Sequence, residues 1–166
     1  KFLEKAAKSL DGLDNLVQDL LTVSQIETGA IKIEKKNIDL RPVIEEIFEQ
    51  VEGKAKKRDV KLKLIAPKGN IQVKADTQRI SQVILNLIVN AIKYGKEKGI
   101  VQIIINEKKK VYTISVVDNG PGIPTSEQRN IFEPFYQIDK YSTGQKEGFG
   151  LGLALIKKIL RSSNAD

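Results

Sequence analysis

The chain is 166 residues long, 40% hydrophobic and 30% charged, enough for one well-cored α/β domain and a small appendage. It contains no Cys and no His, which excludes disulfides, thiolate metal sites and the usual neutral-pH general base, and leaves hard, oxygen-ligated Mg²⁺ as the metal to expect. The formal charge of +7 sits in Lys35-Lys36, Lys54 to Arg58 and Lys108 to Lys110 without interleaved aromatic rings, so these runs read as solvated surface and no nucleic-acid partner is expected.

Leu3, Ala6, Leu10, Leu13, Val17, Leu20 and Ser24 recur alternately three and four apart, and Leu16 and Leu21 widen the stripe. That spacing predicts one long bundle-type helix, which needs a partner hairpin or a second chain to cover its apolar side. Gly29 suits the position just past its end. Because the chain opens at Lys1 inside this pattern and has no Met, it is expected to be a piece of a longer protein, with no signal peptide in view. Ala30 to Glu34 reads as a short strand, and Asp39 then caps a helix to about Arg58, with Pro42 tolerated in the first turn. Val60 to Ile65 and Ile71 to Ala75 alternate with period two around the turn-forming Pro67-Lys68-Gly69-Asn70, a predicted hairpin.

Asp76 caps a long helix through Ile80, Val83, Ile84, Leu87, Ile88 and Ala91 to Tyr94. Its apolar run from Val83 to Val89 is broken by Asn86 and is too short to cross a bilayer, so the segment is expected to be soluble. Ile100 to Asn106 and Val111 to Val117 form a second strand pair joined by the lysine-rich turn. A short helix from Pro124 to Ile131, a loop to Gly148 and a final helix from Gly150 to about Leu160 complete the series. The expected fold is therefore α+β, a two-layer α/β sandwich preceded by the long helix.

Chemistry concentrates in three places. Asn86 and Asn90 lie four apart on one helical face, with Lys93 and Tyr94 a turn further on. An amide oxygen can ligate Mg²⁺, an ammonium can neutralise phosphate, and a tyrosine ring can stack on a purine. The alternative is an amphipathic helix with incidental amides. Asp118 ends a strand before Asn119-Gly120-Pro121-Gly122; its carboxylate could accept from the exocyclic amine of adenine, which guanine lacks at that position. A plain Asx turn is the competing use of the same residues. Gly148, Gly150 and Gly152 lead into the last helix, whose free N–H groups and positive end favour an anion. Their spacing is neither the dinucleotide fingerprint nor a Gly-Lys-Ser/Thr phosphate loop.

Taken together these segments resemble bacterial sensor histidine kinases. Asn86-Leu87-Ile88-Val89-Asn90-Ala91-Ile92-Lys93-Tyr94 is similar to the N box, Asp118 to Gly122 to the G1 box, Phe132-Glu133-Pro134-Phe135-Tyr136 to the F box and Gly148 to Leu153 to the G2 box. Asp19 to Gly29 resembles the second helix of the family's dimerisation hairpin. The resemblance implies a Bergerat-type ATP-binding fold of the GHKL class, a mixed sheet packed on helices, that holds Mg²⁺-ATP beneath a lid. It divides the chain into a hairpin helix at 1–29 and a catalytic domain at 30–166, the latter expected to lack its last strand pair.

By the same resemblance Asn90 would coordinate Mg²⁺, Asn86 would support the site, Lys93 would meet phosphate and Tyr94 would lie beside adenine. Asp118 would read the adenine amine, with Gly120, Gly122 and Ile123 lining the base. The lid would be Gln137 to Glu147, with Lys140 and Lys146 as phosphate contacts and Phe132 and Phe135 at its base. Gly148, Phe149, Gly150, Leu151, Gly152 and Leu153 would complete the nucleotide site. Hydrolytic relatives place Glu where Asn86 stands, and an amide cannot activate water, so slow hydrolysis and transfer to a protein acceptor are expected. The acceptor His would sit on the first hairpin helix, and this chain, having no His, cannot phosphorylate itself. The expected partners are that hairpin helix and a response regulator, in a homodimeric, cytoplasmic parent anchored in the bacterial inner membrane. A dimerising regulatory module without transfer activity and a hydrolytic ATPase are the alternatives.

Overall fold

Asp39 sets the first helix of the sandwich. Its Oδ1 accepts from the Arg41 amide at 3.1 Å and from the Ile71 amide at 2.9 Å, so one carboxylate caps a helix and ties down the chain that enters a later strand. The helix it opens, α2, runs Leu40–Lys57 and buries Leu40, Ile44, Ile47, Val51 and Ala55 at helical spacing. Asp76 does the same for α3, Thr77–Tyr94, accepting from Arg79 N–H at 3.1 Å through Oδ1 and from Glu34 N–H at 3.0 Å through Oδ2. In this computed structural model residues 2–29, 32–138 and 149–163 are described. They fall into two compact units, one spanning Glu34–Ile123 and the other formed by the described residues before and after it.

In the unit Glu34–Ile123, β1 (Lys36–Asp39) pairs antiparallel with β3 (Gln72–Ala75). A separate three-stranded sheet has the order β2–β4–β5, from Lys61–Ile65, Ile100–Lys108 and Val111–Asp118. β2 is parallel to β4 with Lys61 opposite Ile100, and β4 is antiparallel to β5 with Val101 opposite Asp118. The inward residues Val101, Ile103 and Ile105 of β4 join the inner sides of α2 and α3, including Ile44, Ile47, Ile84 and Ile88, in one core. This is the mixed sheet on helices that the sequence implies.

Three local expectations need correction. The predicted strand at Ala30 to Glu34 is displaced: residues 32–35 are irregular, 30 and 31 lie outside the described residues, and the strand is Lys36–Asp39. The predicted hairpin of Val60 to Ile65 with Ile71 to Ala75 does not form. Its two arms join different sheets, because buried Ile71 bonds to Leu40 N–H at 3.1 Å and to Asp39 rather than to β2, while Arg41 Nη2 donates to Pro67 O at 2.6 Å and holds the intervening turn. The predicted helix at Pro124 to Ile131 is a series of tight turns ending in a 3₁₀ turn at Asn130–Phe132. So short a stretch, opening with Pro-Thr-Ser, cannot offset the cost of helix nucleation.

In the other unit, α1 (Phe2–Glu27) ends as expected with Gly29 in the left-handed region at φ 68°. Leu10, Leu13, Val17, Leu20 and Leu21 all remain exposed on it. α4 spans Gly152–Ser162, two residues later than predicted at its start, since Gly150 has φ 73° and cannot be helical. It buries Ala154, Leu155, Ile156 and Ile159 and packs against α1 and the 3₁₀ turn. No helix among the described residues is long and apolar enough to cross a membrane.

The two amide bonds, the one from Ile71 first and that from Arg41 second, hold the Asp39 carboxyl below its ordinary value of 3.8. A group whose pKa is lowered in the folded state stabilises at pH above its unfolded value and loses that contribution as pH falls through the folded one. Asp39→Ala is thus expected to lower the urea midpoint at pH 7 by an amount that shrinks once the pH drops below 3.8. Parallel wild-type and variant denaturation curves across this range check it.

Candidate functional site

The last turn of α3 and the turn after β5 meet. Gly120 lies so close to the helix end that a Cβ there would stand 2.8 Å from Tyr94 O, 3.2 Å from Gly95 Cα and 2.7 Å from Asp118 Oδ1. Backbone cannot yield to such contacts, so only glycine lets the loop seat against the helix. Gly95 is buried, and a Cβ on it would lie 3.8 Å from Asp118 Cβ. Asp118 is itself exposed. Its Oδ1 accepts from Gly120 N–H at 2.6 Å, so the Asx turn weighed as an alternative does form, and it leaves Oδ2 without a partner among the described residues. Both uses of the carboxylate are compatible, one oxygen shaping the loop and the other remaining for a ligand. Asn119, which sequence reasoning took only as a turn residue, accepts from Ile100 N–H through Oδ1 at 3.3 Å and pins the loop to the start of β4. Gly122 adopts φ 73°, and Ile123 beyond it is exposed.

Back along α3 from Tyr94, Asn90 lies one turn away and Asn86 two, on the same face. Both are half-buried. The Asn86 Nδ2 is buried without a hydrogen-bond partner, the one such side-chain atom among the described residues. Leaving a buried donor unpaired costs about 1–3 kcal/mol, which an acceptor oxygen of a ligand or a water would recover. Lys93 Nζ donates to Tyr94 Oη at 2.7 Å and stands 4.4 Å from the centroid of that ring, while Tyr94 is exposed. The ammonium thus lies folded over the aromatic ring.

These groups fit a magnesium nucleotide. No cluster of three or more His, Cys, Asp or Glu able to hold a metal occurs among the described residues. A metal at α3 would therefore rest on an amide oxygen and on the nucleotide's own oxygens, as Mg²⁺ commonly does.

The remaining sequence-predicted residues belong to the other unit or lie outside the described residues. Lys140, Lys146 and Gly148 fall among the latter. Phe149 is exposed and Leu151 is buried. Gly152 begins α4, and its N-cap residue Leu151 makes no side-chain cap hydrogen bond. Phe135 N–H donates to Gly150 O at 3.0 Å, and a Cβ on Gly150 would meet Phe135 C and Tyr136 O, each at 2.7 Å. These contacts hold Phe135 and Tyr136 against Gly150. Phe135, one of the two residues expected at the base of the lid, has φ 65° and is exposed. Sequence reasoning missed two ties here: Tyr136 Oη donates to Glu127, and Lys157 Nζ lies 3.8 Å from Glu133. Gly150→Ala is expected to cost at least about 1–2 kcal/mol from the left-handed backbone alone, visible as a lower thermal midpoint.

A two-layer sandwich with a carboxylate-led glycine turn seated on an amide-bearing helix defines a nucleotide-binding protein. A profile of the family described as "Histidine kinase-, DNA gyrase B-, and HSP90-like ATPase" matches residues 75–166. The chain belongs to this family, and its similar proteins include sensor histidine kinases. It is 33% identical over 160 residues to the adaptive-response sensory kinase SasA of Gloeothece citriformis, covering 96% of this chain and 40% of that protein. The solved structure of the histidine kinase AdeS of Acinetobacter baumannii superposes with a TM-score of 0.79 at 26% identity, over 96% of this chain and 72% of that one. Full-length ShkA, crystallised in complex with AMPPNP, gives 0.78 at 26% identity, over 97% and 33%. The chain spans about two fifths of the length of the SasA proteins it matches.

Proposed function

We propose that this chain positions Mg²⁺-ATP for transfer of its γ-phosphoryl group to a histidine on the dimerisation hairpin of a longer parent, from which a response regulator receives it. The observation that carries this is the seating of the Asp118–Gly122 turn against the end of α3, on whose ligand-facing side the buried Asn86 amide lacks a partner. In this arrangement the Asp118 carboxylate accepts from the exocyclic amine of adenine, and Gly120, Gly122 and Ile123 border the base beside Tyr94. Asn90 offers its amide oxygen to the metal, and Asn86 supports the phosphate side. Magnesium, when bound, neutralises charge on the phosphate oxygens. Lys93 leaves the Tyr94 ring for phosphate, since an exposed cation–π contact is worth only about 0.5–1 kcal/mol and a charge-assisted bond to phosphate is stronger. The start of α4, residues 148–153 and Lys140 are assigned to the phosphates as well.

Catalysis by this region is positioning and charge stabilisation, because an amide at position 86 takes no proton from water. The exposed apolar stripe of α1 supports residues 1–29 as one helix of a dimerising hairpin, with 30–166 as the catalytic domain. The parent is assigned to the cytoplasmic face of the bacterial inner membrane as a homodimer.

Supplying the histidine-bearing hairpin helix in trans with Mg²⁺-ATP tests the transfer. Acid-labile phosphate on its histidine is expected, with little free phosphate released by the chain alone. Nucleotide binding without transfer would instead favour a regulatory module, and steady ATP turnover would favour a hydrolytic family member.

A further inference from the structure

We infer that Arg58 is a positioning residue for the adenine pocket, its guanidinium holding the last turn of α3 where that turn seats the Asp118 loop. This inference rests on the nucleotide site proposed above. Arg58 lies on the far end of α2 and is half-buried. Its Nη1 donates to Lys93 O and its Nη2 to Gly95 O at 3.1 Å, so one planar group spans two carbonyls on either side of Tyr94. The last carbonyls of a helix have no amide partners of their own, and a cation at that end also meets the negative pole of the helix dipole. A guanidinium satisfies both needs at once in a fixed geometry that an ammonium does not reproduce.

The clamp is itself anchored. Arg58 N–H donates to Ala55 O at 3.1 Å, and Arg58 O accepts from Lys98 N–H at 3.0 Å. Asp59 and Lys98, both at φ 54°, turn the two strands of chain so that Lys61 N–H reaches Gly99 O at 3.0 Å and the parallel pairing of β2 with β4 begins. The carbonyls Arg58 holds flank the surface on which the loop rests, since Gly120 sits against Tyr94 O and Gly95 Cα. Without the guanidinium, water would satisfy the carbonyls and the fold would survive, but the helix end would fray and the Asp118 oxygen that reads the base would lose its fixed place. The consequence falls on base recognition.

The test uses the whole 166-residue chain. Amide shifts of ligand-free wild type and Arg58→Ala are compared first; those of Gly95, Asp118 and Gly120 are expected to move and to broaden. ATP and GTP affinities are then measured by calorimetry well below the melting temperature. Arg58→Ala is expected to lose about tenfold in ATP affinity and to narrow the preference for ATP over GTP, with Arg58→Lys recovering only part of both. A variant that is merely less stable would keep the native preference. Unmoved Gly120 and Asp118 amides, or native affinity and preference in Arg58→Ala, would overturn the inference. Should the alanine variant fail to fold, native values in Arg58→Lys would overturn it equally. Absence of ATP binding by wild type would refute the nucleotide site itself, while the amide shifts would still report on the clamp.

Discussion

Asp118→Asn is expected to lower ATP affinity about a hundredfold and leave the fold intact. The substitution is nearly isosteric, and the asparagine oxygen can still accept from Gly120 N–H, the bond that shapes the loop at 2.6 Å in the native chain. What changes is the second position of the side chain, where an acceptor oxygen becomes an amide donor. That donor opposes the exocyclic amine of adenine but suits the carbonyl that guanine presents there. The preference should therefore shift towards GTP as ATP binding falls. Calorimetric titration with both nucleotides, alongside unchanged far-UV circular dichroism, checks the result; equal ATP affinity in variant and wild type would remove Asp118 from the site.

Asn90→Ala should be comparably severe, by at least about a hundredfold for Mg²⁺-ATP, because loss of even a group that supports a metal ligand costs about 10–100-fold. No cluster of carboxylates or imidazoles among the described residues stands ready to replace it. The expected signature is loss of magnesium dependence: variant and wild type should bind metal-free ATP alike and diverge only when Mg²⁺ is added. Asn90 is half-buried on the helix face, not part of the hydrophobic core, so its truncation should leave the melting temperature close to native.

Features that depend on neighbours in the chain were legible in the sequence. Asp39 and Asp76 cap helices through their own following turns, and Lys109 and Lys110, both at positive φ, make the tight turn expected between β4 and β5. The shared face of Asn86, Asn90 and Tyr94 follows from helical periodicity alone. Strand partnership did not follow. β2 alternates in the same way whether it pairs with its successor or with a distant parallel strand, and only the core decides that Lys61 lies opposite Ile100. The same limit hid how the loop seats on the helix: Gly120 advertises a flexible turn, but nothing in its neighbours announces that its missing side chain would strike Tyr94 O. Arg58 was hidden likewise among the basic residues ending α2, where the sequence offers only a solvated charge run and the fold supplies the carbonyls.

The most direct measurement is a crystal structure of the chain with Mg²⁺ and a non-hydrolysable ATP analogue. The adenine amine should lie within hydrogen-bonding distance of the Asp118 carboxylate, with the Asn90 amide oxygen directed at the metal and the Asn86 amide no longer unpaired. A nucleotide bound elsewhere, or one whose base turns away from Asp118 while the α3 face stays bare, would contradict the account.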